Sequence, residues 1–278
     1  MRACIVYFSQ TGNTRKVAES MQESLAAAAG FCAIYRLEEA DPAALSRYDL
    51  IGLGTPALYL REPLNVRWFL ESFPRQSGGA PRPFFLFVTH GGTPGDVFSR
   101  IGRLARGRGL AAVGCFRCLG VDTFPPYADR SPLIAAGHPD AADLERARRF
   151  AASMVEAAAA FRSGDPGVRM PGSFLSRLAS GLFNGRALRL LERHGVLPHK
   201  RVDPGRCTRC GLCVQACPQG IIRLAGLPSI ADRGCIYCYH CHRTCPQQAI
   251  LCDWTPLRIL SGHYFRKWLA ASSRRREP

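Results

Sequence analysis

The feature that most constrains this chain is a cysteine spacing that occurs twice. Cys207, Cys210, Cys213 and Cys217 form a C-x-x-C-x-x-C-x-x-x-C run closed by Pro218. The same run recurs 28 residues on as Cys235, Cys238, Cys241 and Cys245, closed by Pro246. Pro218-Gln219 recurs as Pro246-Gln247, and Ile222 as Ile250. Two copies of one small unit predict pseudo-twofold symmetry. These eight belong to 13 cysteines in all. The N-terminal Met-Arg-Ala-Cys-Ile-Val-Tyr-Phe enters a strand-like run without the apolar stretch and cleavage site of a signal peptide. A cytoplasmic location is therefore expected, with the cysteines serving as ligands or redox groups rather than disulfides.

Structural zinc is the competing use of C-x-x-C pairs. Four evenly spaced cysteines with a terminal proline, given twice, do not suit zinc ribbons. The spacing is that of bacterial two-cluster ferredoxins, in which three close thiolates wrap one [4Fe–4S] cube and the fourth reaches the other. The expected ligand sets are Cys207, Cys210, Cys213 and Cys245 for one cluster, and Cys235, Cys238, Cys241 and Cys217 for the other. His240 and His242 lie inside the second motif, where the thiolate count is already complete. They are expected to face solvent or flank the ligands rather than join them.

Charge separates the same two halves. Residues 1–165 carry 19 basic and 16 acidic side chains, residues 166–278 carry 18 and 5, and the whole chain is +16. Two clusters, each about two units more negative than four neutral thiols, bring the C-terminal half from +13 to about +9. Part of the basic excess offsets that charge, and positive surroundings raise cluster potentials. The Arg-for-Lys bias, with Lys only at 16, 200 and 267, reads as base composition. At 47% hydrophobic and 21% charged residues the chain is globular. No apolar run reaches the roughly 20 residues of a spanning helix.

Upstream, apolar strand-like runs at 3–8, 31–37, 50–55, 83–89 and 110–121 alternate with helical patterns at about 15–29, 63–73, 96–107 and 139–161. This alternation implies right-handed crossovers and a parallel sheet with strands buried on both faces. Gly164, Pro166, Gly167, Pro171 and Gly172 mark a linker. The expected organisation is an α/β domain at 1–162, a linker with an amphipathic basic helix at 163–200, the cysteine module at 201–252 and a basic aromatic tail at 253–278.

Ser9, Gln10, Thr11, Gly12, Asn13 and Thr14 join the first strand to the first helix, where hydroxyls and N–H groups at a helix N-terminus form a phosphate site. The run is neither a Walker A loop nor the dinucleotide G-x-G-x-x-G. The bland alternative is a polar turn with Thr14 as N-cap. The run Phe8 to Thr14 resembles the FMN phosphate loop of flavodoxins. Thr55, Pro56, Ala57 and Tyr59 follow the third strand, and His90, Gly91, Gly92 and Gly95 follow the fourth, where a doubly wound sheet places its ligand. By that resemblance these loops flank the flavin, and their glycines let backbone approach its ring.

Nearly the whole chain, including Phe124-Pro125-Pro126-Tyr127 after the fifth strand, resembles the EFR1 family of fused flavodoxin–ferredoxin proteins. The resemblance implies a flavodoxin-like doubly wound parallel five-stranded sheet, then a small α+β two-cluster ferredoxin domain, with FMN and two [4Fe–4S] clusters as cofactors. Two features depart from it. Flavodoxins are usually acidic, and the ending Gly262 to Trp268 differs from the family's.

The remaining features have bland readings. Cys115 and Cys118 lie three apart on a strand and point to opposite faces, so they are packing residues. Cys4 and Cys32 belong to the core, and Cys252 falls just outside the cluster ligands. Tyr59 covers the flavin or packs in the core, with Trp68 close by. His90 is expected to face water rather than a flavin carbonyl. The basic segments 173–193 and 254–270 are expected to pack the domains together, with peripheral membrane contact as the alternative.

The expected function is electron transfer between FMN, the two clusters and redox protein partners, a donor and an acceptor whose surfaces are acidic. No nicotinamide fingerprint or nucleic-acid motif is visible. The alternatives are a flavin-dependent reductase of a small organic substrate, wired internally by the clusters, and a redox-sensing protein that binds through its basic half.

Overall fold

The computed structural model describes residues 1–74, 80–128, 132–172, 181, 184–231, 233–259 and 262. Most of the segment 173–183 and of the tail beyond 259 lies outside the described residues, and with them most of the expected basic packing surfaces. Two compact units result, Met1–Asp122 with Ala135–Leu182, and Thr123–Ile134 with Phe183–Pro278.

The first unit is a parallel sheet of β1 (Arg2–Tyr7), β2 (Phe31–Arg36), β3 (Leu50–Pro56), β4 (Arg82–His90) and β5 (Leu110–Leu119). Its order β2-β1-β3-β4-β5 is that of a flavodoxin-like doubly wound fold. The helices are α1 (Asn13–Ala29), α2 (Leu64–Glu71), α3 (Val97–Arg106), a single turn α4 (Pro125–Ala128) that belongs to the other unit, and α5 (Ala141–Arg162). One face packs Val17, Met21 and Leu25 of α1 and Ala147, Ala151 and Met154 of α5 onto Ile5, Phe85 and Phe87. Asp140 starts α5 with a capping box. Its carboxylate accepts from Asp143 N–H at 2.8 Å, and the Asp143 carboxylate accepts from Asp140 N–H at 3.1 Å.

The centre of the sheet interlocks by size. Gly52 and Gly54 of β3 pair across the ladder with Phe85 and Phe87 of β4. A Cβ on Gly52 would lie 2.4 Å from the Phe85 ring, and one on Gly54 2.2 Å from the Phe87 ring. Burial on both faces holds for β1, β3 and β4 but not at the edges. In β2 only Cys32 is fully buried, because an outer strand has a neighbour on one side alone. Cys4 and Cys118 are buried in the core with Cys32, and Cys115 is half-buried.

The compact units divide differently from the contiguous partition expected at 162. Residues Thr123–Ile134 leave the first unit directly after β5 and join the second. There Phe124 meets the Trp254 ring at 5.6 Å and Tyr127 at 5.8 Å, and the Thr123 carbonyl accepts from Arg243 at 2.8 Å. Aromatic burial draws this loop out of its expected domain.

The second unit holds α6 (Gly185–Arg193), α7 (Leu212–Gln215) and α8 (His240–Thr244), with antiparallel pairs β6 (Arg201–Val202) with β9 (Ile250–Leu251), and β7 (Ile222–Ala225) with β8 (Leu227–Ile230). Its apolar centre is Cys213, Ile222, Cys241 and Ile250, two pairs of residues 28 apart. Three pairs of left-handed backbone positions obey the same offset. Arg209 and Tyr237 have φ 57° and 58°, Gly211 and Tyr239 75° and 52°, Gly220 and Gln248 59° and 48°. The repeat in sequence is a repeat in conformation.

Candidate cofactor sites

The first site lies at the C-terminal edge of the parallel sheet. Gly12 caps α1 at φ 91°, a conformation glycine enters freely, and supplies no side-chain cap. The first turn of α1 holds no acid and carries exposed Arg15 and Lys16. Its N–H groups therefore point outward uncapped, with the positive end of the helix dipole behind them. Thr14 is not the cap. Its buried Oγ1 lies 2.8 Å from Thr89 Oγ1 and ties the loop to the end of β4. The Asn13 side chain is also committed, donating from Nδ2 to the Val121 carbonyl beyond β5 at 3.0 Å. Ser9 and Gln10 are half-buried, Thr11 is exposed, and Gln10 Nε2 is buried without a partner.

The other two loops meet this one. Ala57 N–H donates to the Thr89 carbonyl at 2.9 Å, and buried Thr55 Oγ1 donates to the Pro56 carbonyl at 3.0 Å. Tyr59 and Leu60 both take left-handed φ, 52° and 62°, inside a turn closed by mutual bonds between Leu58 and Arg61. Tyr59 is half-buried, whereas Trp68 is 40% exposed on α2. His90 is half-buried. Burial, helped by Arg117, lowers its pKa from 6.5 to about 4, and Nδ1 is buried without a partner. The imidazole is therefore neutral at physiological pH.

Two of the glycines serve the chain itself. A Cβ on Gly91 would lie 2.6 Å from the Asp122 side chain, and one on Gly95 2.1 Å from the Leu60 carbonyl. Gly95, at φ 60°, lets Asp96 N–H reach that carbonyl at 2.9 Å. Gly92 is half-buried beside them.

Sequence reading missed the buried ion network that anchors the loop after β3. Glu62 receives Arg100 Nε at 2.8 Å and Arg61 Nη2 at 3.2 Å, with Arg61 and Glu62 each 1% exposed. The adjacent Arg61-Glu62 pair was the available signal, and it resembles ordinary surface charge.

The second site is built by the cysteine repeat. Cys217, Cys235, Cys238 and Cys241 line one pocket, together with Lys200, Tyr239 and the isoleucines 221, 222, 230 and 236. Burial raises the thiol pKa of Cys238 to about 11 and of Cys241 to about 12. Cys207, Cys210 and Cys213 form the other group, in which burial and then the two neighbouring thiols raise the Cys213 pKa. Cys210 is exposed. Cys245 follows α8 and its Sγ accepts from Ala249 N–H at 3.2 Å. Cys252 packs against the apolar centre beside Cys217. His240 and His242 are half-buried, not solvent-facing. His242 Nδ1 lies 2.7 Å from the Ile250 carbonyl, and burial lowers the His240 pKa.

The residues fit the groups that the spacing implied. At the second site Cys217, Cys235, Cys238 and Cys241 line one pocket, four thiols of the kind that hold a [4Fe–4S] cluster. At the first site, the uncapped helix terminus fits a phosphate, and the unpartnered Gln10 and His90 nitrogens fit a polar heterocycle.

The fold and sites define a flavodoxin-like domain joined to a 4Fe-4S-binding module. A flavodoxin domain model matches residues 4–93, and a 4Fe-4S binding domain model matches residues 200–223. The "Uncharacterized protein MJ0298" of Methanocaldococcus jannaschii is 26% identical over 159 residues, 56% of this chain and 99% of that protein. An archaeal flavodoxin structure is 18% identical with TM-score 0.47, covering 57% of this chain and 99% of its own. Rubredoxin oxygen:oxidoreductase of Desulfovibrio gigas is 15% identical with TM-score 0.44, covering 59% and 37%. Together the two domain matches support an electron-transfer role with FMN and at least one [4Fe–4S] cluster. Among the described residues no helix is long and apolar enough to cross a membrane.

Proposed function

We propose that the chain is a cytoplasmic electron-transfer protein of the EFR1 type, holding one FMN and two [4Fe–4S] clusters and serving redox proteins with acidic surfaces. The observation that carries this reading is that cysteines of both repeats line one pocket. Cys217, the last cysteine of the first run, shares a cavity with the three leading cysteines of the second. A pair of separate metal sites would keep each run to itself, whereas two-cluster ferredoxins trade their fourth ligands.

When bound, FMN exchanges electrons in pairs or singly and each cluster exchanges one. The chain's part is to hold and to tune. The uncapped first turn of α1 binds phosphate through N–H groups, and Arg15 and Lys16 add positive charge beside it. The Thr14–Thr89 bond fixes the loop against β4, so the anion site does not shift relative to the flanking turns. Neutral His90 carries a single ring proton and offers one donor and one acceptor nitrogen. The excess basic charge of the C-terminal half attracts acidic partners and accelerates encounter at low salt.

The test is iron, sulfide and acid-released flavin per chain in anaerobically purified protein, with the dithionite-reduced spectrum. The expected result is about eight iron and one FMN, both bleaching on reduction. Iron with no flavin, even after reconstitution with FMN, would assign the phosphate loop to some other anion.

A further inference from the structure

Among the residues lining the cavity of Cys217, Cys235, Cys238 and Cys241, Lys200 is the one cation, and the fold buries it deliberately. Its side chain is 5% exposed. Nζ donates to Glu192 Oε1 at 2.7 Å and sits 4.6 Å from the ring centre of Tyr239 and 5.3 Å from that of Tyr237. Both tyrosines are nearly fully buried, and together they form an aromatic cage around the ammonium.

A lysine is rarely buried unless negative charge compensates it. Glu192 supplies one such charge. Cys217, Cys235, Cys238 and Cys241 of the same pocket would supply the rest once they hold a cluster as thiolates. Cys207, Cys210 and Cys213 do not line this pocket. Arg243 lies two residues from Cys241, but its Nη1 is bonded to Thr123 and it does not line the pocket.

We propose that Lys200 is a potential-setting residue, whose ammonium raises the reduction potential of the cluster held by Cys217, Cys235, Cys238 and Cys241 and leaves the other cluster untouched. The inference rests on the two-cluster reading. Reduction adds one electron and one negative charge to that site, with no proton and no bond made or broken. A fixed neighbouring cation stabilises the reduced state, while an apolar wall alone opposes it. Glu192 offsets part of the effect, so the pair sets the potential between two extremes.

The experiment is a dithionite titration of the full anaerobically purified chain, followed by electron paramagnetic resonance, alongside iron content. Lys200→Met is expected to lower one of two midpoints by at least tenfold in the reduction equilibrium, 59 mV for a one-electron couple. The other midpoint should not move. Lys200→Arg should restore the first midpoint, and Glu192→Gln should shift it upward. Opposite signs for K200M and E192Q cannot arise from loosened packing, which would move both in one direction or lose the cluster. Two midpoints that stay in place in both K200M and E192Q would overturn the inference while leaving the two-cluster reading intact. About four iron and a single midpoint in the unsubstituted protein would overturn that reading, and the inference with it.

Discussion

The two cysteine runs share a backbone and differ in what surrounds it. Their left-handed positions, their buried isoleucines and their spacing coincide at an offset of 28. Yet the first run uses Gly211 where the second uses buried Tyr239, and it leaves Cys210 exposed while Cys238 lines a pocket with Lys200. Local sequence sets the shape of each loop, and distant sequence sets its electrostatics. A duplicated unit can therefore keep its geometry while its two copies diverge in chemistry.

The sharpest way to break that comparison is to remove one ligand from each side. Cys210→Ser should lower iron from about eight to about four per chain and leave the second unit folded, as read by iron assay and amide hydrogen exchange. Cys238→Ser, inside the cavity, should also abolish exchange protection across residues 233–251, because metal binding there is part of folding. Equal behaviour of the two variants would show that the copies are equivalent after all.

A smaller effect separates the positions 211 and 239. Tyr239→Ala removes a buried ring that packs on Trp254 at 4.4 Å and donates to the Pro198 carbonyl at 3.0 Å. The expected cost is about 3–5 kcal/mol in chemical denaturation. Gly211→Ala adds only left-handed strain, since its nearest neighbour is a Leu224 methyl at 3.9 Å, and should cost about 1–2 kcal/mol. The smallest effect tests what the copies share. Ile222→Val and Ile250→Val, at 3% and 2% exposure, should each cost about 0.5–1.5 kcal/mol and match one another. A clear inequality there would deny the twofold core.

The legible parts of the molecule were those written in short range. Strands showed as apolar runs, the sheet class followed from their alternation with helices, and the cysteine repeat announced a cluster module by spacing alone. What stayed hidden depends on neighbours far along the chain. Thr14 looked like a cap because its partner Thr89 is 75 residues away. Nothing beside His90 in sequence reveals the partial burial that keeps it neutral. Lys200 gave no signal, being one of three lysines in a basic chain, with its cage tyrosines some 40 residues downstream. Nor does local sequence show that the glycines after β4 clear Asp122 at Gly91 and Leu60 at Gly95.

The excursion of residues Thr123–Ile134 bears on how such a protein can be taken apart. The chain passes from one unit to the other after Asp122, returns after Ile134, and departs again after Leu182. A gene cut once in the linker would yield a first half trailing an unburied Phe124 and Tyr127, and a second half whose Trp254 has lost a ring partner and whose Arg243 has lost Thr123. Fission into two free-standing carriers would require new sequence on both sides of the cut. Whatever the two parts were before they were joined, that loop now makes the fusion hard to reverse.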